Sequence, residues 1–158
     1  MRIFCDTSAL AKRYVQEPGS EELEKLFTSF ATEIFISTLA FVEFASAVGS
    51  KLRNKEISEA KVGEAITELE KDWYEVFAKI PLEDMLAETA AAIALKYSLK
   101  GADAVHLASA QVASAELFVA SDEKLIRVAK KMGINSYNPE SGPYCIQSKL
   151  QKKQKSQP

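Results

Sequence analysis

The chain has 158 residues, of which 47% are hydrophobic and 27% charged, and its formal net charge is −2. This length and composition are typical of one globular domain and exclude the collagen-like and disulfide-rich classes. Two cysteines are too few for a disulfide framework or a zinc cluster. No stretch resembles a signal peptide or approaches the ~20 apolar residues of a membrane span, so we expect a cytoplasmic protein.

Charge is distributed unevenly along the chain. Residues 147–158 hold four lysines and no acid, which leaves about −6 on the remainder. We expect this lysine- and glutamine-rich end to be disordered, because it has too little apolar surface to pack. We therefore assign residues 1–146 to one domain. We expect no strongly basic face on it, which argues against a clamp that binds nucleic acid by counterion release alone.

Short apolar runs alternate with longer helical patterns. The predicted strands cover residues 3–5, 34–36, 76–80, 117–120 and 134–137. The predicted helices cover residues 9–15, 20–30, 39–53, an amphipathic segment capped by Ser58, 82–97, 102–115 and 121–132. This alternation predicts an α/β fold, a three-layer α/β/α domain with a parallel sheet of four or five strands.

The first predicted strand is followed directly by a carboxylate. Ile3, Phe4 and Cys5 are all apolar, which is typical of a strand buried on both faces at the centre of a parallel sheet. Asp6 comes next, and in open α/β sheets sites form in the crevice at the carboxyl ends of the strands. The simpler interpretation is that Asp6 caps the helix that follows.

Three further acids occupy comparable places. Glu43 lies one or two turns into the helix after the second strand, and Asp103 lies in the first turn of a nearly uncharged helix. Asp122 follows the fourth strand. A parallel sheet would bring these acids and Asp6 to one crevice, where they would repel one another.

A divalent cation is the natural neutraliser of such a cluster. Ligation by oxygen alone favours magnesium or manganese over zinc. One such ion, or a pair, activates water and clamps a phosphodiester during in-line displacement. The acids therefore predict metal-dependent hydrolysis of a phosphodiester.

Four short motifs, taken together and in this order, resemble those of the PIN domain family, and within it the VapC-type ribonuclease toxins. They are residues 4–8 (FCDTS), 37–43 (STLAFVE), 101–108 (GADAVHLA) and 120–125 (ASDEKL). The resemblance covers roughly residues 1–140. It implies a metal-dependent endoribonuclease acting on RNA, together with an antitoxin that covers the pocket and a homodimer.

On the matching positions, the resemblance implies a metal-binding set that also forms the catalytic centre. This set is Asp6, Glu43, Asp103 and Asp122, which would hold magnesium or manganese. Ser8 and Ser121 match small polar positions that would orient water or a carboxylate. The helical patterns around residues 62–77 and 85–97 could supply the dimer surface.

Several side chains also have simpler interpretations. Capping of the following helix is a complete structural explanation for Asp122. We expect His106 to be a core histidine bonded to a backbone carbonyl rather than a general base. Cys5 is expected to be an inert buried thiol, and Trp73 a core or dimer contact rather than a platform for base stacking.

Isolated basic residues are weaker candidates. Lys12, Arg13 and the pair Lys51 and Arg53 could contact RNA phosphates, although such residues usually only solvate a face of the protein. A phosphohydrolase with Asp6 as the nucleophile is disfavoured because residues 6–8 lack a second aspartate. Two alternatives stay open, a stand-alone PIN nuclease in RNA processing and a non-catalytic PIN-like scaffold that binds RNA or protein.

Overall fold

The structure, a computed structural model, describes residues 1–145. Within these residues five strands form one parallel sheet in the order β3-β2-β1-β4-β5. The strands are β1 (Arg2–Cys5), β2 (Glu33–Ser37), β3 (Phe77–Ile80), β4 (Leu117–Val119) and β5 (Ser136–Tyr137). The predicted disordered segment at 147–158 and the last residue of the predicted domain lie outside the described part of the chain.

Helices cover both faces of the sheet. The α-helices in residues 1–145 are α1 (Thr7–Leu10), α2 (Ser20–Phe30), α3 (Leu39–Arg53), α4 (Glu59–Glu75), α5 (Asp84–Tyr97), α6 (Gly101–Val112) and α7 (Glu123–Lys131). One apolar core lies between the sheet and α1 to α4, and a second lies between the sheet and α5 to α7. The predicted three-layer α/β/α domain is therefore confirmed.

Strand β1 is the central strand, as its uninterrupted apolar sequence predicts. Ile3, Phe4 and Cys5 have no exposed surface. Ile3 and Cys5 belong to the core under α1 to α4, whereas Phe4 points into the opposite core. There its ring stacks on that of Phe118, with a centroid separation of 5.8 Å.

Helix boundaries follow the capping residues. The bounds of α2 and α3 are those predicted, and α4 begins after Ser58, whose side chain accepts from the Lys61 amide at 3.2 Å. The helix predicted at 9–15 instead begins at Thr7, because Asp6 is the cap, and it changes to a 3-10 turn over Ala11–Arg13.

The other boundary errors are small. Gly101 is the first residue of α6 rather than a break before it, and α7 begins at Glu123 because Asp122 is its cap. Strand β5 is limited to two residues. The prediction that the helix after Gly101 is buried over most of its circumference is confirmed, since the seven residues from Ala104 to Ala110 are all buried.

The carboxyl ends of β1, β2 and β4 meet at one edge of the sheet. Phe4 pairs with Phe35 on one side and Phe118 on the other. The Asp6 amide continues the ladder by donating to the Val119 carbonyl at 2.9 Å. Helices α1, α3 and α7 leave from this edge, as the alternation of strands and helices requires. Among the residues described, no helix is both long and apolar enough to cross a bilayer.

Truncating Phe4 to alanine should lower the free energy of unfolding by about 3–5 kcal/mol, because it removes a fully buried ring and leaves a cavity beneath the site. Val112, which is 62% exposed at the end of α6, provides a control truncation of an apolar side chain outside the core. The Val112→Ala change should stay within about 0.5 kcal/mol of the unmodified protein in urea unfolding. Equal losses in the two variants would contradict the assignment of β1 as the centre of the core.

Candidate active site

Asp6 begins the site at the end of the central strand. Its side chain is buried, and its Oδ2 atom accepts from the Ser8 amide at 3.0 Å and from the Ser8 hydroxyl at 2.5 Å. The interpretation of Asp6 as a helix cap is thus confirmed. The cap engages Oδ2, whereas Oδ1 lies 3.6 Å from Nε2 of His106. Asp6 therefore caps α1 and also faces the other candidate residues.

Ser8 connects two of the predicted site segments. While its hydroxyl donates to Asp6, it accepts from the Ser121 amide at 2.9 Å. This bridge ties the start of α1 to the chain after β4 and restricts the Asp6 carboxylate. The hydroxyl of Ser121 is itself buried and makes no hydrogen bond within residues 1–145.

Glu43 is held by two side chains from different elements. Its Oε2 atom lies 2.6 Å from the Thr7 hydroxyl, which donates to it, and 2.5 Å from Nε2 of His106. Burial alone would raise the pKa of Glu43, but the hydrogen bond and charge of His106 and the Thr7 hydroxyl prevail and lower it. Glu43 is consequently a partly buried, ionised carboxylate rather than a solvated surface acid.

His106 is the residue that the sequence analysis placed wrongly. We expected a backbone carbonyl as its partner, but Nε2 faces Glu43, Asp6 and Thr7, and its buried Nδ1 has no partner among the described residues. Burial alone would lower the pKa of His106, yet Asp6 and Glu43 raise it above its ordinary value. The signal that could have located it is its spacing from Asp103, one turn earlier on the same face of α6.

Asp103 and Asp122 complete the acidic cluster. The pKa of Asp103 is raised by burial and then by the charges of Asp6 and Asp122, against the opposing charges of His106 and Lys100. Asp103 forms no salt bridge with lysine or arginine within residues 1–145. Asp122 is exposed and caps α7 by accepting from the Leu125 amide at 2.9 Å, as predicted.

The donor chemistry of this cluster fits a hard divalent cation. Asp6, Glu43, Asp103 and Asp122 offer carboxylate oxygens. After burial, the charges of Asp6 and Asp122 raise the pKa of Asp103, so these three carboxylates oppose one another. In the part of the chain that is described, no three histidine, cysteine or acidic side chains are gathered as a ready metal cage. Glu43 is directed to His106 and Thr7 instead, so binding an ion through all four acids requires side-chain movement.

Three of the four basic residues that we considered for RNA contacts, those near α1, are paired with acids. Lys12 is buried and pairs with Glu140 at 2.7 Å, and Arg13 pairs with Asp72 at 2.8 Å. Lys51 pairs with Glu17 at 2.6 Å. These cations are therefore neutralised within the fold.

Two other simpler interpretations agree with the structure. Trp73 is partly buried and packs edge-on against Phe41, with ring centroids 5.2 Å apart. Cys5 is fully buried, and burial raises the pKa of its thiol well above the ordinary value, so it is unreactive.

Comparison with known proteins identifies a family and relatives that this chain resembles. The PIN domain family model matches residues 3–131. Ribonuclease VapC45 of Mycobacterium tuberculosis is 32% identical over 111 residues, which cover 68% of this chain and 74% of that protein.

Two solved structures share the fold. The structure of VapC20 from Mycobacterium tuberculosis, described as a toxin that cleaves the sarcin–ricin loop, has a TM-score of 0.64 at 16% identity and covers 79% of this chain and 93% of that one. A toxin–antitoxin complex from Klebsiella pneumoniae has a TM-score of 0.61 at 21% identity. The match covers 87% of this chain and 97% of the chain in that complex. The match to the family model and the identity with VapC45 lead to one conclusion: this chain belongs to the PIN domain family.

Proposed function

We propose that this protein is a metal-dependent endoribonuclease that hydrolyses RNA phosphodiester bonds, and that it is the toxin of a toxin–antitoxin pair. The observation that carries the proposal is electrostatic contact among acids from separate chain segments: Asp6 and Asp122 act on Asp103, and His106 links Asp6 to Glu43. The identity with a ribonuclease of the VapC type supports the activity. The fold shared with a toxin that cleaves the sarcin–ricin loop is in keeping with RNA as the substrate.

Asp6 and Asp103 are the principal ligands in this proposal, with Glu43 and Asp122 completing the set around Mg²⁺ or Mn²⁺. The bound cation supplies an activated water and stabilises the charge that develops on the phosphate. Both aspartates are partly or fully buried and make no pair with lysine or arginine in the described residues, so neither carboxylate is occupied by a lysine or arginine side chain.

The surrounding side chains orient these carboxylates. Ser8 holds Oδ2 of Asp6 and connects it to the segment that carries Asp122. Thr7 and His106 hold Oε2 of Glu43, which is then placed to complete the ligand set or to accept a proton from the attacking water. His106 contacts the acids and not a reacting atom, so its role is positioning.

The toxin proposal includes partners. The Klebsiella pneumoniae structure with the same fold is a toxin–antitoxin complex, and we propose an antitoxin and a second copy of this chain as partners here. The two helices that we predicted to form a dimer surface expose large apolar side chains, namely Tyr74 on α4 and Met85 and Leu95 on α5. We also propose that the protein acts in the cytoplasm, where it would meet its RNA substrate.

Cleavage of single-stranded RNA should require Mg²⁺ or Mn²⁺ and stop with chelator. The variants Asp6→Asn and Asp103→Asn should each lose roughly two orders of magnitude in rate or more, since loss of even an outer-shell partner of a metal typically costs 10–100-fold. Gel analysis of a labelled RNA measures the rate.

Glu68→Gln is the control for that experiment, because it removes one exposed acid from α4, outside the cluster. It should cleave at the unmodified rate. Binding of RNA without cleavage under every metal condition would support the scaffold alternative and contradict the nuclease. Cleavage that survives both aspartate substitutions would assign the activity to other residues or to a contaminant.

The variant His106→Gln should lower the melting temperature most at mildly acidic pH. The raised pKa of His106 gives stability that is full below its ordinary 6.5 and lost as the pH rises through the raised value. The lowered pKa of Glu43 gives stability that is present above its ordinary 4.5 and lost as the pH falls through the lowered value. The pair therefore contributes most between these two ordinary values.

Thermal melts in chelator, in that window and in alkaline buffer, measure this difference. His106 is the only histidine of the sequence, so no other imidazole contributes to it. A loss of melting temperature that is the same at both pH values would show that His106 acts through packing alone.

A further inference from the structure

Ion pairing divides the basic residues of the described chain into two groups. Six of the ten basic residues in the first 79 positions pair with acids, and they include the three near α1. Between residues 80 and 145, none of the six basic residues has an acid within ion-pair distance in the described structure. They are Lys96, Lys100, Lys124, Arg127, Lys130 and Lys131, all exposed, and we call them the α5–α7 basic surface.

Helix α7 arranges its cations along one side. Lys124, Arg127 and Lys131 are spaced by three and four residues, which places them on a common face of the helix. The opposite face is buried through Leu125 and Ala129. The charged stripe therefore points away from the core and is open to a ligand.

Contacts between α5 and α7 bring the remaining cations to the same region. The Nζ atom of Lys124 donates to the Ser98 carbonyl at 2.6 Å, just beyond the end of α5. A groove of about 410 Å³ has Lys96 and Tyr97 on one side and Lys131 on another. The charged side chains that line it are both lysines, and Nζ of Lys96 lies 5.3 Å from the centre of the Tyr97 ring.

The α5–α7 basic surface begins beside the acidic cluster. Lys100 is the residue before α6 and is close enough to Asp103 for its charge to act on that carboxylate. Lys124 follows Asp122 by two residues. A strand whose phosphate lies at the acids would therefore have the cations of this surface next along its path.

Within residues 1–145, no acid forms an ion pair with these cations. Two acids of the same part of the chain have other partners. Glu123 on α7 accepts from the Asn138 side chain at 2.7 Å, and Glu140 pairs with Lys12. We expected no strongly basic face because the net charge of the domain is negative. The net charge does not distinguish paired from unpaired cations, so that expectation does not exclude a local group of exposed, unpaired ones.

We infer that the α5–α7 basic surface binds the sugar–phosphate backbone of the RNA strand adjacent to the bond that is cut, without regard to base sequence. This inference rests on the proposed nuclease function. When exposed lysine and arginine side chains without acidic partners contact phosphates, they displace the counterions of the RNA. The resulting affinity depends on salt concentration but includes no recognition of the bases. Tyr97 adds an aromatic face beside two cations.

The test compares two triple variants. One removes three positive charges from this surface, and the other removes three exposed positive charges elsewhere. Lys96→Gln/Arg127→Gln/Lys131→Gln is the surface variant, and Lys25→Gln/Lys55→Gln/Lys71→Gln, at three exposed lysines, is the control with the same change in net charge. Both are made together with Asp103→Asn, so that the RNA is not cut during the measurement. Fluorescence anisotropy with labelled single-stranded RNA and Mg²⁺, repeated at several salt concentrations, gives the affinity.

The surface variant should bind roughly 10–100-fold more weakly at low salt, and its slope of log affinity against log salt should fall by about 2, as expected for three lost phosphate contacts. The loss should be similar for RNAs of different sequence. The control variant should bind as the Asp103→Asn parent does.

Equal weakening in both variants, or a loss confined to one RNA sequence, would overturn the inference. Polyglutamate serves as a probe for an acidic protein partner. If the surface variant lost binding to polyglutamate but bound RNA as its parent does, the surface would belong to such a partner, and the inference would be overturned as well. Cleavage by the unmodified protein, combined with unchanged RNA affinity in the surface variant, would contradict this inference alone. Absence of cleavage, with RNA binding that still depends on the surface, would contradict the nuclease proposal alone.

Discussion

Repulsion among carboxylates is the constraint on which the site depends. The parallel sheet ends β1, β2 and β4 at one edge, and the chain places Asp6, Glu43 and Asp122 just beyond those ends. The fold thus brings together charges that would separate if they were free to do so. Burial and, after it, the charges of Asp6 and Asp122 raise the pKa of Asp103, which is in keeping with this opposition. Stable burial of such a cluster requires a compensating positive charge.

His106 supplies part of that compensation within the protein. Its imidazole lies between Glu43 and Asp6, and the two acids raise its pKa although burial alone would lower it. Thr7 joins the same network through its hydroxyl. The arrangement orients Glu43 and Asp6 and lowers the pKa of Glu43, while Asp103 has no hydrogen-bonding partner of this kind in the described residues. That asymmetry makes Asp103 the acid with most to gain from a bound cation.

Much of the architecture follows from local sequence, because strands, caps and helix faces depend on residues close together in the chain. The apolar run of β1 predicted its central place, and Ser58 and Asp122 predicted the starts of their helices. The contacts of His106 could not be predicted in this way, since its partner Glu43 is 63 residues distant. The α5–α7 basic surface could not be predicted from the sequence for a related reason. Net charge does not reveal which lysines have acidic partners, and only the folded contacts separate Lys12 from Lys131.

The central claim is that the acids bind a divalent cation that relieves their repulsion, and thermal stability measures this most directly. In chelator at neutral pH, Asp103→Asn should melt above the unmodified protein, because the raised pKa of Asp103 makes its ionised form destabilising there. With Mn²⁺ at about 100 times its dissociation constant, the unmodified protein should gain about 2.7 kcal/mol and the variant almost nothing. No gain in the unmodified protein at any Mn²⁺ concentration, or an equal gain in both proteins, would contradict the account.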